Sequence, residues 1–343
     1  MSTLIHSTAG IRALSVTGVV AAAIFLLPTG FAGAADTDGR EFVVAASQTE
    51  LRFWQSVEDF AAHMTRRVEE AMEHSPDLIV FPEDIGLPLV ALGDADLLDQ
   101  AESIEDAIEM VMRRHAAEIA PLVAEHAISP QRALWIHKAP RIRAAYERTF
   151  SDLAREHTVH IAAGSVPMVF PEKPADVFNT ACVFDPTGEM HIAGTKVNLV
   201  APFETEDGLD FSPGSAEDYA VVRMPGATVG IIVCADGWDP NIAARLAEQG
   251  AEILVQVSAN PEVWTEGTRQ GWQDSLFSRV EELGVHGVCV MGVGNLLGLP
   301  FQGRSCAVAP RRWTADGSGF IAEVDSPTQE RLLVVRIDLA RAE

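Results

Sequence analysis

The sequence predicts an α/β protein whose sheets are covered by helices on their outer sides. Three observations predict it. Short runs that are apolar at almost every position, such as ATVGIIVC and AEILVQVS, recur along the chain, and a strand of that kind has both faces covered. Longer segments between them carry apolar residues at helical spacing. Strands and helices alternate instead of segregating into halves, which favours layered sheets with helices outside.

In chain order, FVVAASQ from Phe42 reads as a buried strand. A helix follows from about Trp54 to His74, with Val57, Phe60, Ala61, Met64, Val68 and Met72 on one face. DLIVFPE is the next strand. From Ala91 to Phe150 no strand is legible, and the segment reads as an insertion of two or three helices. That insertion concentrates Arg113, Arg114, Arg132, Lys138, Arg141 and Arg143, which reads as a solvated helical face in preference to an anion site, with a lid or an oligomer contact as the functional alternative. HIAAGSV, FNTACVFD and MHIAGTKV then follow as strands, the last two joined by the Pro-bearing turn Asp185 to Gly188. YAVVRM, ATVGIIVC and AEILVQVS come next, with a helix from about Pro240 to Gln249 before the last of them. A helix around Arg269 to Leu283 precedes HGVCVMGV, and three strands near 304–309, 319–324 and 332–337 complete the chain.

The 343 residues are 48% hydrophobic, with a mean hydropathy of +0.12, so the chain can bury a sizeable core. A net charge of −24 argues against nucleic-acid binding and against adsorption to an anionic membrane through bulk electrostatics. Positive charge is almost always arginine: the chain has three lysines, Lys138, Lys173 and Lys196. A retained lysine offers a compact ammonium that fits a narrow pocket where a guanidinium does not. The cysteines, Cys182, Cys234, Cys289 and Cys306, form no CxxC and no cluster at metal-ligand spacing, so neither a zinc site nor any cofactor is predicted. Cys182, Cys289 and Cys306 lie in apolar runs and read as buried small side chains instead of a disulfide framework.

At the N-terminus, Arg12 precedes the uncharged run Ala13 to Ala34, which ends in Ala32-Gly33-Ala34 before a polar stretch. Residues 1–34 therefore read as a signal peptide with cleavage near Ala35, which implies a secreted or extracytoplasmic protein, and residues 35–41 as a short polar linker. The run is also long enough to serve as an uncleaved membrane anchor. A misassigned start on a cytoplasmic enzyme is the third reading.

Chemistry concentrates at the ends of three apolar runs: DLIVFPED around Glu83, GTKVNLVAPFE around Lys196 and VGIIVCADGWDP around Cys234. A carboxylate, a cation and a soft nucleophile brought to one sheet edge suffice for covalent attack on an amide-like carbon. Cys234 stands at a strand-to-helix turn, with Asp239 as N-cap and Pro240 opening the helix. Such a turn is expected to expose the thiol, and the helix terminus and the cation are expected to lower its pKa. Desolvation is expected to raise the pKa of the carboxyl after LIVFP, which suits a general base. Strand alternation does not choose between Glu83 and Asp84.

In this order and these frames, the three segments resemble the nitrilase superfamily, the carbon-nitrogen hydrolases, from about Phe42 to Ile337. The resemblance implies a four-layer α-β-β-α sandwich over residues 42–343 and places the acid directly after Phe81-Pro82, at Glu83. It implies a Glu-Lys-Cys triad acting through a thioester on a small amide or ureide, with a nitrile as an alternative substrate. The backbone N–H of Ala235 would assist at the oxyanion. Relatives carry a second glutamate, for which Glu204 and Glu206 compete; Glu204 fits better because it follows the Pro-Phe pair. Asn198 stands where many relatives have His, which puts the substrate in question and leaves the chemistry intact. Trp238, Asn260 and Trp264 are candidates for the pocket wall. Relatives also pair into dimers or larger homo-oligomers, and the stripe Ile242, Ala243, Leu246, Ala247 suits such a contact or burial on its own sheet. NLVAPFE also hints at acyl transfer as in apolipoprotein N-acyltransferases, but those sit behind many membrane spans. A noncatalytic binding module on the same fold is the remaining alternative.

Overall fold

Residues 41–341 are described by the computed structural model, so the expected signal peptide or anchor (1–34) and the linker up to residue 40 lie outside the described residues. The chain opens with β1 (Phe42–Gln48), β2 (Glu50–Leu51), α1 (Val57–Met72) and β3 (Leu78–Val80). The helices α2 (Ala95–Leu98), α3 (Ile104–Arg114), α4 (Ala116–His126) and α5 (Pro130–His157) follow. Next come β4 (His160–Phe170), β5 (Lys173–Phe184), β6 (Met190–Thr195), β7 (Val221–Met224), β8 (Ala227–Val233), α6 (Pro240–Glu248) and β9 (Ile253–Ala259). The chain closes through α7 (Glu266–Trp272), α8 (Ser278–Leu283), β10 (His286–Leu296), β11 (Leu299–Phe301), β12 (Cys306–Val308), β13 (Phe320–Glu323) and β14 (Arg331–Ile337).

Two sheets form, in the orders β14-β1-β3-β4-β5-β6 and β13-β12-β10-β9-β8-β7, with β2 and β11 added to β10. Alternation along each strand sorts side chains into layers. Val44, Val80, Val183, Val229, Ile231, Val255 and Val290 meet between the sheets. Ile79, Ile161 and Phe184 face α1 and α5 with Phe60, Met64, Tyr146 and Phe150. Ile232, Leu254 and Met291 face α6 and α8 with Ile242, Leu246 and Val280. The result is the α-β-β-α sandwich. Strands β1, β3 and β4 run parallel, as do β8, β9 and β10, so each group delivers its carboxyl ends to one edge.

Several local expectations change. Helix α1 begins at Val57 because Ser56 caps it, accepting from Asp59 N at 3.1 Å, while Trp54 turns into the core. The helix expected from Arg269 to Leu283 breaks between α7 and α8, where Ser275 leaves helical geometry at φ −93°, ψ −122°. The break turns Ser275 Oγ inward to donate to Gln256 Oε1 at 2.7 Å. The stripe Ile242, Ala243 and Leu246 is fully buried on its own sheet, so it is spent within the chain. Of the basic residues of the helical region, Arg113, Arg114, Arg141 and Arg143 are exposed, as expected of a solvated face, while Lys138 and Arg132 are drawn inward into ion pairs. Lys138 is buried and pairs with buried Asp94, which Arg114 also reaches at 3.2 Å; Arg132 pairs with Asp210 at 2.6 Å. Helix α5 runs past Phe150 to His157. No helix among the described residues is long and apolar enough to cross a membrane.

Candidate active site

Four of the residues singled out above converge at the carboxyl edge of the two sheets. Glu83 lies just beyond β3 and Lys196 directly after β6, both from the first sheet, while Cys234 directly follows β8 of the second. Lys196 Nζ donates to Glu83 Oε1 at 2.8 Å and to Glu204 Oε2 at 2.5 Å. The Cys234 thiol feels the charge of the Glu83 carboxyl and of Lys196, and its Sγ lies 4.0 Å from the carbonyl oxygen of Ala259. Glu83, Lys196 and Glu204 are each at most 2% exposed, and Cys234 is 5% exposed. Glu206, the competitor for the second acid, is exposed.

The backbone is shaped to hold these groups. Gly164 in β4 sits at φ +66°, and a Cβ there would come within 1.8 Å of Pro82 O, so the Phe81-Pro82-Glu83 segment approaches β4 as only glycine allows. Asp84 takes φ 61° and its N–H donates to Ser165 Oγ at 3.0 Å, which turns the chain sharply after Glu83. Cys234 itself takes φ 43°, a left-handed conformation that costs energy for a residue with a side chain. Its carbonyl accepts from Gln256 Nε2 at 2.7 Å, and Gln256 is in turn held by Ser275.

Residues that the motifs did not reveal complete the cluster. Asn179 on β5 donates from Nδ2 to Glu83 Oε1 at 3.0 Å and to Glu204 Oε1 at 3.1 Å. Ala259 N donates to Glu83 Oε2 at 2.9 Å, and Val200 N to Glu204 Oε2 at 2.9 Å. Asp236, fully buried two residues past the thiol, accepts from Val197 N at 2.9 Å, Asn198 N at 2.7 Å, Asn198 Nδ2 at 2.8 Å and the Tyr219 hydroxyl at 2.6 Å. It thereby ties the turn after Cys234 to the turn after Lys196. Polar residues inside otherwise apolar runs, Asn179 in FNTACVF and Gln256 in ILVQVSA, were the available signal, because a buried polar group has to be hydrogen-bonded.

Electrostatics follow from burial. Burial pushes the Glu83 carboxyl up against the opposing pull of Lys196. Burial also opposes charge on Lys196, but the Glu83 and Glu204 carboxylates outweigh it and hold the ammonium well above the ordinary lysine value. The thiol departs from expectation. Burial first and the Glu83 carboxylate second push Cys234 well above the ordinary cysteine value, outweighing Lys196, so at rest it is a buried thiol and neither exposed nor a thiolate.

Of the pocket-wall candidates, Asn260 and Trp264 both hydrogen-bond to Gln302, and Trp238 packs on Trp272, which lines the same cavity as Trp264. Trp238 is 39% exposed and stacks edge-on with Trp272, ring centroids 4.8 Å apart. Asn260 follows Ala259 and spends Nδ2 on the carbonyls of Glu262 and Gln302. Trp264 lines a cavity of about 440 Å³ on the helix-covered face of the second sheet. A second cavity of about 670 Å³, counted out to its mouth, lies between Phe203, Leu209, Leu87 and the helices α3 and α5, and is walled almost wholly by apolar side chains. Away from the cluster, Asp185, Glu189 and His191 bring ligand-type atoms within 4.8 Å of one another. Asp185 there accepts from the N–H groups of Thr187 and Glu189 and so caps a turn.

A family model for the carbon-nitrogen hydrolases matches residues 43–343. The chain belongs to that family. Among characterised carbon-nitrogen hydrolases, it is 30% identical over 109 residues to a formamidase of Bacillus cereus, a stretch covering 29% of this chain and 30% of that one. Over 141 residues it is 28% identical to the deaminated glutathione amidase of Yersinia enterocolitica, covering 38% of this chain and 46% of that one. These matches thus span less than half the length of either relative. The amidase from Nesterenkonia sp. AN1, in a mutant complex with acrylamide, superposes with a TM-score of 0.61 at 20% identity, covering 89% of this chain and 94% of that one. A carbon-nitrogen hydrolase from Helicobacter pylori gives 0.60 at 20% identity, covering 89% and 91%. Both share the sandwich fold.

Proposed function

We propose that this carbon-nitrogen hydrolase cleaves a non-peptide amide through a thioester on Cys234. The observation that carries the reading is the buried arrangement in which the Glu83 carboxyl accepts from the Lys196 ammonium at 2.8 Å, at the sheet edge that also carries the buried Cys234 thiol. A thiol held protonated by burial needs a base within reach, and a carboxylate whose own pKa is raised is matched to that task. Glu83 takes the thiol proton as Sγ adds to the amide carbon, forming the C–S bond. The developing oxyanion is stabilised by Lys196 and the N–H of Ala235. Collapse breaks the C–N bond, and Glu83 returns the proton to the departing ammonia or amine. Water, deprotonated by Glu83, then releases the acid and restores the thiol. Glu204 braces Lys196 throughout, and Asn179 fixes both carboxylates.

Support also comes from relatives. A mutant of the Nesterenkonia amidase carries the acetamide moiety of fluoroacetamide covalently at its active-site cysteine; that adduct keeps its amide, so it supports a nucleophilic cysteine at this place in the fold and leaves the thioester to be trapped. The test is ammonia or amine release from a panel of amides, ureides and nitriles, with intact mass and peptide mapping of the trapped acyl adduct. Release together with an adduct on Cys234 is expected, and the panel separates amide from ureide and nitrile turnover. Turnover in the absence of any Cys234 adduct, or an inert protein across the panel, overturns the assignment.

A further inference from the structure

Two cysteines that this reaction does not use face each other. Strands β10 and β12 pair antiparallel with Cys289 directly opposite Cys306, and β9 and β10 pair with Gln256 beside Cys289. Cys306 is in turn opposite Glu323 on β13. Gln256, Cys289, Cys306 and Glu323 therefore form one row across four strands on the helix-covered face, and all four line the 440 Å³ cavity there. Cys289 Sγ also lies 3.6 Å from Met291 Sδ, and Arg269 and Arg304, both paired with Glu323, line the same cavity.

Directly opposed residues of an antiparallel pair have Cβ atoms about 4.5–5.5 Å apart. A disulfide uses a Cβ separation of about 3.5–4.5 Å and a Cα separation of about 4.4–6.8 Å. Closing the bond therefore asks for side-chain rotation and an approach on the order of 1 Å, with no change of register. The two thiols differ in access: Cys306 is partly exposed and Cys289 buried. The Cys306 hydrogen bond, and burial after it, push the Cys289 thiol well above its ordinary value. That difference sets an order of events.

We infer that Cys289 and Cys306 are a dithiol site for a disulfide oxidant and close to a cross-strand disulfide that staples β12 to β10. Cys306, as thiolate, attacks a small-molecule or protein disulfide, forming a mixed disulfide and releasing one thiolate. Cys289 then loses its proton to solvent and attacks Cys306 Sγ, expelling the second thiolate. Two protein thiols are oxidised and one oxidant disulfide is reduced to two thiols. The bond forms beside Gln256, whose other end holds the Cys234 carbonyl at 2.7 Å, so the staple sits immediately behind the turn that carries the candidate nucleophile.

The experiment incubates full-length protein with oxidised glutathione, removes the oxidant, denatures and alkylates with N-ethylmaleimide, and counts adducts by intact mass. Reduced protein should take four adducts, one for each cysteine. Oxidised protein should take two, with a peptide linking Cys289 to Cys306 in a non-reducing digest. Cys289→Ser and Cys306→Ser should each abolish the linked peptide. Four adducts after oxidation, a glutathione adduct on Cys306 that never resolves, or a two-adduct loss that survives in either serine variant overturns the inference. Because serine substitution could loosen the strand pair, reversal of the two-adduct loss by dithiothreitol in the unsubstituted chain provides a reading that no variant affects.

Discussion

Asn179 donates to Glu83 at 3.0 Å through the same amide nitrogen with which it reaches Glu204 at 3.1 Å. One neutral donor thus spans two acids that flank a single ammonium. Two carboxylates competing for one lysine would otherwise be free to swing apart. Asn179→Ala should lower kcat by roughly ten- to a hundredfold, the equivalent of losing about 1–3 kcal/mol of buried hydrogen bonding, while KM changes little. A kcat within twofold of the unsubstituted enzyme, from steady-state ammonia release, would remove Asn179 from the catalytic arrangement.

Cys234→Ala should abolish turnover and leave the thermal midpoint close to that of the parent, since only the sulfur is deleted. Lys196→Arg keeps the charge but replaces a point cation by a planar fork. The expected loss is at least about a hundredfold in rate, the size associated with one oxyanion donor. Full activity in Lys196→Arg would reduce the lysine to a structural cation.

The pH profile follows from the direction of the Glu83 shift. A base must be ionised to act, and burial raises the pKa of this one above 4.5, so the acid limb of kcat/KM should lie above the ordinary glutamate range. A limb at or below pH 4.5 would contradict that assignment. Alkylation of Cys234 by iodoacetamide should still be accelerating beyond pH 9, because burial raises the thiol above its ordinary value of 9.0.

Asp84 gives a stability prediction of opposite character. Burial, and Glu83 after it, hold its carboxyl well above 3.8. A raised folded pKa means that the unfolded chain ionises first, so its contribution to stability is intact below the unfolded pKa and is lost as pH rises through the folded one. Asp84→Asn should therefore raise the thermal midpoint at pH 8 and lose that advantage near pH 4. A midpoint that falls at pH 8 would show that the charged carboxylate is satisfied.

For Asp236, replacement by Asn turns an amide NH₂ toward donors that now need an acceptor, namely Val197 N, Asn198 N and the Tyr219 hydroxyl. About 1–3 kcal/mol of stability should be lost in denaturant titration, with kcat falling as the Lys196 turn loosens. An unchanged midpoint and kcat would mean that the two turns hold without it.

The legibility of this chain follows a physical divide. Continuous apolar runs revealed the strands that bury both faces, and the motifs at their carboxyl ends located Glu83, Lys196 and Cys234, because strand ends and turns have local signatures. The short β2 and β11 escaped notice, since a two- or three-residue strand has no period to read. The state of the thiol was misjudged for a deeper reason. A nearby cation and helix terminus are visible in sequence, whereas the degree of burial that outweighs them depends on the opposite sheet closing over the site. Asn179, Asp236 and Gln256 belong to the same class, as their partners lie between 17 and 96 positions away.

The two halves of the site belong to different sheets, with Glu83 and Lys196 on one and Cys234 on the other. The spacing between base and nucleophile is therefore a thickness, set by the valines and isoleucines stacked between the layers. Thinning that filling at Val44, Val183 or Val229, none of which adjoins the four clustered residues in sequence, is expected to change the rate before it unfolds the protein. Under the proposed mechanism the interior serves as the spacer between base and nucleophile, so core variants are where graded changes in rate should be sought.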